Sequence, residues 1–280
     1  MKLIIGIGSK RKVEVFSQIC SLMKNLTEFM ILEFRPEGLY SQGMSFDQIS
    51  LYEFMIKKDW FEFYEVNDDD SRIVSVNSTI LQKIFSTRQE KQFVTVSYDG
   101  KPDKINIKFQ NKVPVKTDIP KEFEVTLMDV DNETMDIPDS DYTAEFSITT
   151  KLFGSLVEQL EIFDENMNVK CSEENIAFKA SGFEGSLSVN LYSEKVDYIT
   201  EYAIDEGGEL NLTFPNKHFQ NFCRFTKVSK EIKLSFSDAL PMQMLFMLDH
   251  IEEDIDSDEV SLNERSYLRF CLAPKISDDE

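Results

Sequence analysis

Apolar residues along the chain switch between two rhythms. Residues 2–7 form a short apolar run and read as a strand. After Gly8-Ser9, Val13, Phe16, Ile19, Cys20, Met23 and Leu26 recur at the spacing of one helix face, with Ser9 suited to cap it. Lys10, Arg11, Lys12, Gln18 and Lys24 take the opposite face. A period of two then governs Phe29–Phe34, Ile49–Ile56 and Trp60–Val66, which predicts antiparallel strands with Pro36-Glu37-Gly38 as a turn. Asn77 opens a second helix whose apolar side is Ile80, Leu81, Ile84 and Phe85; Lys83 and Arg88 lie off that stripe. Strands are expected at 92–98, 104–110 and 121–128, with Asp99-Gly100 turning between the first two.

The same order follows again. A strand is expected at 142–148, then a helix capped by Thr149-Thr150 with Leu152, Phe153, Leu156, Val157 and Leu160 on one side. Strands are predicted near 167–171, 175–180, 186–192 and 198–204. Pro215 suits the first turn of a fourth helix, with Phe219, Phe222 and Cys223 inward and Lys217, His218, Arg224 and Lys227 outward. Strands at 231–237 and 242–248, an acidic loop 249–264 and a strand at 266–272 complete the reading. First helices and second helices each recur about 140 residues on, half the chain, so the halves are a duplication.

Between them, Leu127 to Tyr142 has neither period. It is acidic, contains Pro138, and reads as an extended connector. The domains are thus 1–128 and 143–280, joined by 129–142. Met135, Ile137 and Pro138 are apolar groups on a segment that should be solvated. They either pin the connector to the domain beneath or line a groove for a partner peptide.

A length of 280 residues fits about two domains, each large enough for its own core. With 30 Lys+Arg against 51 Asp+Glu the net charge is −21, which excludes a protein coated with nucleic acid over its outer surface. Twenty-three phenylalanines exclude a disordered acidic tail. Cys20, Cys171, Cys223 and Cys271 form no CxxC pair and have no His at zinc spacing, so reduced, buried thiols of an intracellular protein are expected. The amino terminus lacks the order and length of a signal peptide, and no run approaches a membrane span.

The charge is unevenly distributed. Residues 9–26 sum to +3, 77–90 to +1, 149–163 to −1 and 215–230 to +4, leaving −28 for the rest. Solvated helix faces would account for any one of these. The first helix is different, because Lys10-Arg11-Lys12 sits in its first turn. There the helix dipole disfavours each cation by about 0.3–1 kcal/mol. An incoming phosphate reverses that sign. No base-reading motif accompanies the cations, so contact with the nucleic-acid backbone is the expectation.

The tail Leu272-Ala-Pro-Lys-Ile-Ser-Asp-Asp-Glu280 and the connector Leu127-Met-Asp-Val-Asp…Met135-Asp-Ile-Pro-Asp-Ser-Asp-Tyr142 resemble those of the eukaryotic sliding clamp family, proliferating cell nuclear antigen. Gly38-Leu-Tyr-Ser-Gln-Gly-Met44 through Ile49-Ser-Leu51, Phe178-Lys-Ala-Ser-Gly182 and the fourth helix match in order, so the likeness spans the chain. It implies an α+β chain of two similar clamp domains, three copies forming a ring with helices lining the hole and antiparallel sheets outside. The ring would encircle duplex DNA without sequence preference. It would act in the nucleus, or at a viral replication site, as a processivity factor for DNA polymerase and repair proteins. A clamp loader is implied as partner, and neither catalysis nor a cofactor or metal.

Family positions facing DNA fall at Arg11, Lys12, Lys83, Lys217 and Arg224, with Lys10, Arg88, Lys151 and Lys227 as additions. The family's client groove falls at Met44, Gln48, Ile49, Met135, Asp136, Ile137, Pro138, Pro241, Leu272, Ala273, Pro274 and Lys275. It would take a peptide carrying a glutamine, an aliphatic residue and an aromatic pair. Subunits would join edge to edge through 121–127 of one copy and 186–192 of the next. Departures mark a divergent member: Ser155 and Glu158 replace cations on the third helix, Cys271 replaces an aromatic, Glu173 stands near the usual modified lysine, and loop 249–264 is long.

Two other readings compete with a replication clamp: a subunit of a heterotrimeric checkpoint clamp, and an acidic scaffold that binds proteins without DNA. Asp129-x-Asp131-x-Glu133 and Asp254-x-Asp256-x-Asp258 start like calcium loops. Both lack the glycine and the final glutamate such loops need.

Overall fold

Ser9 caps the first helix as its position suggests. In the computed structural model its hydroxyl accepts the Lys12 N–H at 3.2 Å, and α1 spans Lys10–Leu26. The structure describes residues 3–66, 72–98, 103–113, 116–131, 134–137, 141–192, 199–227, 229–248 and 262–275, with 226, 227 and 263 by backbone only. Asn77 likewise caps α2 (Ser78–Ser86), accepting the Ile80 N–H at 3.1 Å.

The chain packs as two units. The first takes Met1–Phe46, Glu53–Met135 and Leu248–Leu268; the second takes Asp47–Tyr52, Asp136–Met247 and Arg269–Glu280. In the first unit the strands are β1 (Leu3–Ile7), β2 (Phe29–Arg35), β3 (Gly38–Met44), β4 (Ser50–Lys57), β5 (Phe63–Glu65), β6 (Arg72–Asn77), β7 (Phe93–Tyr98), β8 (Lys104–Gln110) and β9 (Lys121–Thr126). One antiparallel sheet runs β5-β1-β7-β8-β9, and β4-β3-β2-β6 lie side by side in another. The two helices pack through Phe16 and Phe85, ring centres 5.2 Å apart. Phe85 meets Phe109 of β8, which meets Phe123 of β9, each at 5.6 Å. An aromatic chain thus anchors the helix pair to the sheet.

The second unit repeats the plan. It contains β10 (Ala144–Thr149), α3 (Thr150–Leu160), β11 (Asn166–Cys171), β12 (Asn175–Gly182), β13 (Gly185–Tyr192), β14 (Ile199–Ile204), β15 (Leu210–Pro215), α4 (Asn216–Cys223), β16 (Glu231–Phe236) and β17 (Met242–Met247). β18 (Tyr267–Leu272) begins in the first unit and ends in the second. A sheet runs β13-β12-β11-β15, and β14-β10-β16-β17 lie side by side. Phe153 of α3 meets Phe219 of α4 at 5.8 Å and Phe178 of β12 at 6.0 Å. Here too aromatics hold a helix pair on a sheet. α1 and α3 start 140 residues apart, at Lys10 and Thr150; α2 and α4 start 138 apart, at Ser78 and Asn216.

Several expectations need correction. Trp60–Val66 is not one strand: Lys58–Trp60 is a 3-10 turn that buries Trp60, and only Phe63–Glu65 pairs. β3, β6 and β15 were not expected. β3 buries Ser41 and Gln42, so its polar residues mask the pleat. Ile80 is 45% exposed, because it is about 100° of rotation from Leu81 and outside the stripe of Leu81, Ile84 and Phe85. His218 is buried rather than outward, beside Phe222. Thr149 makes no capping bond, while the Thr150 hydroxyl donates to the Ser229 carbonyl at 2.6 Å. Pro215 precedes α4 in extended geometry instead of occupying its first turn.

Gly38 sits at φ +153°, and an added Cβ would lie 2.2 Å from the Ile56 carbonyl oxygen, so β3 can enter beside β4 only with glycine there. Among the described residues no helix is long and apolar enough to cross a membrane. Cys20 and Cys171 are buried and Cys223 and Cys271 half-buried, none of the four in a disulfide. Burial pushes the Cys171 and Cys223 thiols up to about 12.

Candidate functional site

The outward faces of the helices carry the cations. Lys10, Arg11 and Lys12 occupy the first turn of α1, which holds no acidic residue. Lys10 is exposed and ion-paired with Glu90, which raises its pKa. The Lys12 ammonium lies 5.8 Å from the centre of the Trp60 ring. Lys83 is exposed on α2. Arg88 has a different duty. Its Nη1 donates to the carbonyls of Gln89 and Glu90 at 2.8 Å and of Gln92 at 3.3 Å, clamping the turn after α2. Burial lowers its pKa.

In the second unit, Lys151 is exposed at the start of α3, whose outward Ser155 and Glu158 supply no cation. Lys217 is exposed on α4 and pairs with Asp47 at 2.6 Å. Arg224 is exposed directly after α4. Lys227 lies in a 3-10 turn, and its side chain is outside the described residues. Exposed ion pairs such as Lys217–Asp47 stabilise the fold by little, so a phosphate can compete for the cation.

His218, 3% exposed, sits between these groups. Its Nε2 is 3.3 Å from the Asp47 carboxylate but not aligned for a hydrogen bond. Burial holds the imidazole below its ordinary pKa of 6.5; Asp47 opposes the shift and Lys217 reinforces it. The unfolded chain therefore takes up a proton near pH 6.5 that the folded chain resists. Stability contributed by neutral His218 is full above that pH and lost as the pH falls below it. The unfolding free energy from urea titrations should drop between pH 7.5 and 5.5 by up to about 1.4 kcal/mol per pH unit for this group. In His218→Gln that part of the drop should vanish; an unchanged pH dependence would assign it elsewhere.

The second surface starts from the connector. Met128 bonds through its N–H to the Ser75 carbonyl at 2.9 Å, tying the connector's start to β6. Farther along, Gln42 of β3 grips the main chain of Met135 at two points. Its amide donates to the Met135 carbonyl at 2.8 Å and accepts the Met135 N–H at 2.6 Å. Gln42 is 4% exposed, whereas the Met135 side chain is 50% exposed. The buried amide thus holds the strand and turns its apolar side chain to solvent. Met44 ends β3 two residues on and is half-buried.

In the second unit the expected groove residues gather around the tail. The Ile49 carbonyl accepts the Ala273 N–H at 3.4 Å, and the Lys275 N–H donates to the Thr213 carbonyl at 2.7 Å. Ile49 and Ala273 are exposed, Pro274 half-buried, and Leu272 fully buried beneath them. Gln48 is the only non-glycine residue at positive φ among the described residues, at +58°. That conformation reverses the loop between Asp47 and Ile49. Asp136 is exposed and Ile137 half-buried; Pro138 lies outside the described residues. Tyr142 donates its hydroxyl to the carbonyl of exposed Pro241 at 3.3 Å.

Sequence reasoning missed Gln42 and Asp47. A buried glutamine has no periodic signature, and an aspartate in a loop is unremarkable until Lys217 is seen beside it. Replacing Gln42 with alanine leaves two main-chain groups of Met135 without partners, a loss of about 1–3 kcal/mol. A peptide that needs the connector in place should bind Gln42→Ala about ten-fold more weakly, read by isothermal titration, with little change in its binding to a connector-independent site.

Comparison with known proteins agrees with both halves. Residues 10–134 match the family profile "Proliferating cell nuclear antigen, N-terminal domain", and 136–254 match "Proliferating cell nuclear antigen, C-terminal domain". The chain is 27% identical over 273 residues to the proliferating cell nuclear antigen of Chaetomium thermophilum, covering 96% of this chain and 97% of that protein. It is 23% identical over 266 residues to proliferating cell nuclear antigen 2 of Drosophila melanogaster (95% and 96% covered). With the Dictyostelium discoideum protein it shares 25% over 269 residues (95% and 97%).

Proposed function

The chain belongs to the proliferating cell nuclear antigen family, with its two-domain α+β sliding-clamp fold, and from that premise we propose that three copies close into a ring around duplex DNA and tether replication and repair proteins to it. The observation that carries this reading is the segregation of charge. The four helical segments sum to +7 in a chain of net charge −21, and the described cations among them, Arg88 apart, stand on outward faces. Arg11, Lys12 and Lys83 in one unit and Lys151, Lys217 and Arg224 in the other offer side-chain charges without a base-reading element. Such contacts bind phosphates weakly and exchange quickly, which suits sliding. Lys10, Lys227 and Arg88 contribute less directly, Arg88 by shaping the turn that carries Glu90 and Gln92.

Client proteins dock by a short peptide. Its apolar residues cover Met44, Ile49, Met135, Ile137, Pro138 and Pro241, and its glutamine meets the main chain near Ala273, with Gln48, Leu272, Pro274 and Lys275 framing the site. Buried apolar area supplies most of the affinity, about 25 cal/mol per Å² before association costs. The chain performs no reaction; it raises the local concentration of its clients on DNA. It works in the nucleus with a clamp loader that opens and closes the ring.

Loading by a clamp loader onto nicked circular DNA tests the proposal. Protein should stay on the circle and leave when the circle is cut to a linear form. Equal loss from both forms would overturn encirclement.

A further inference from the structure

One carboxylate in the second unit touches both surfaces described above. Asp47 Oδ2 lies 2.6 Å from the Lys217 ammonium on α4. Its other oxygen, Oδ1, accepts the Ile49 N–H at 3.4 Å. The Ile49 carbonyl in turn accepts the Ala273 N–H of the tail, also at 3.4 Å. Three links therefore join a lysine read as meeting DNA with the main chain read as meeting a client's glutamine: Lys217 to Asp47, Asp47 to Ile49, Ile49 to Ala273. A second tie runs beside them. The Lys275 N–H donates to the Thr213 carbonyl at 2.7 Å, and Thr213 lies in β15, which leads into α4. Tail and lysine share a frame, and Asp47 is its charged link.

The bonds are unequal. The lysine pair is short, while the Asp47–Ile49 and Ile49–Ala273 bonds stand at the long end of the hydrogen-bond range. Gln48 holds φ +58° on an exposed loop, a conformation that costs a non-glycine residue and lasts only while its surroundings enforce it. An aspartate oxygen accepting from the N–H two residues on is the local bond that enforces such a turn. A lysine on the same carboxylate draws it away from that bond and offsets part of its charge. A phosphate that takes Lys217 leaves Asp47 with its full charge toward Ile49, and hydrogen bonds to an ionised acceptor are shorter and stronger. His218 does not step into the lysine's place at pH 8. Burial keeps its imidazole neutral there, and its Nε2, 3.3 Å from Oδ2, is not aligned to bond.

Resting on the reading above of Lys217 as a phosphate contact and of the tail as a client site, we propose that Asp47 is a positioning residue that couples the two. DNA that takes up Lys217 tightens the Asp47–Ile49 turn, and with it the hold on the client peptide beside Ala273. The coupling is small, because an exposed ion pair is what changes hands, and it is reciprocal. A clamp on DNA thus holds its clients a few-fold better than the same clamp in solution.

Fluorescence anisotropy of a short labelled peptide carrying the glutamine, the aliphatic residue and the aromatic pair tests this with the full chain, at pH 8 and without DNA. Lys217→Ala stands in for a lysine lost to phosphate, and should bind the peptide about two- to five-fold more tightly than wild type. Lys217→Arg, which keeps a cation for Asp47, should bind it like wild type. In an Asp47→Asn background the alanine change should have no effect, because the amide has no charge to release. A merely structural part for Lys217 would show equally in both backgrounds. Unchanged or weaker peptide binding by Lys217→Ala, or an equal gain beside Asp47→Asn, would overturn the coupling. Two further results would strike its premises instead. A wild-type chain that does not bind the peptide would sink the docking reading. A Lys217→Ala chain with wild-type affinity for a duplex oligonucleotide would sink the lysine's part in DNA contact. Either takes the coupling with it.

Discussion

Phe222→Ala should destabilise the second unit by about 3–5 kcal/mol, the range for deleting a buried aromatic. Phe222 is fully buried and stacks on Phe270, with ring centres 4.1 Å apart and planes at 14°. Phe270 in turn meets Phe246 edge-on at 6.1 Å, and Phe246 meets Phe225 at 5.4 Å. α4 has only eight residues, too few to hold helical shape without packing. Parts of both proposed surfaces adjoin this stack. Lys217 and Arg224 flank Phe222 in the chain, and Phe270 precedes Leu272 and Ala273 at the tail. Loss of the ring should therefore weaken DNA retention and peptide binding together. Chemical denaturation read at equilibrium gives the size. Hydrogen exchange at the amides of β18 gives the location, and protection there equal to wild type would refute the link. Phe222→Leu, which keeps part of the volume, should cost less than half as much.

Removing Arg11 and Arg224 together should lower the slope of log affinity against log salt by about 2, near one unit for each phosphate left without its cation. At about 0.1 M salt the double alanine variant should bind duplex DNA roughly 10–100-fold more weakly, equally for all sequences. Arg11 stands in a helix N-terminal turn, where an anion gains from the free N–H groups as well as from the side chain. Arg224 stands just past α4. Arg224 is exposed, so its loss should leave thermal stability within about 0.5 kcal/mol, while half-buried Arg11 should cost more. Arg88→Ala is the contrasting case. Its guanidinium holds three carbonyls, so its removal should register in the melt more than in the salt slope. A double variant with an unaltered slope would show that neither arginine meets phosphate.

Periodicity makes the four helices legible, because each carries a wide apolar stripe and two begin at side-chain caps that the structure contains. The strands with strict alternation are legible too. β3 is not, since its buried positions include Ser41 and Gln42, whose partners come from distant segments. His218 reads as outward because histidine beside lysine looks solvated; only packing against Phe222 shows otherwise. The cations of α1, α2 and α4 can be placed off the apolar stripes from spacing. Arg88 cannot be told apart from them, as nothing local distinguishes a cation aimed at solvent from one that gathers carbonyls. The connector is legible from its missing period, its acidity and Pro138, whereas the tail is readable only by likeness. What holds them, Gln42 at Met135 and Ile49 at Ala273, is main-chain bonding that side-chain patterns do not encode.

The grip of Gln42 falls on backbone atoms, which every amino acid except proline supplies alike. Position 135 can accordingly drift over generations, from methionine to leucine or to a polar residue, and the strap stays buckled. If clients dock there as proposed, selection is free to retune which of them the clamp prefers without reopening the question of whether it folds.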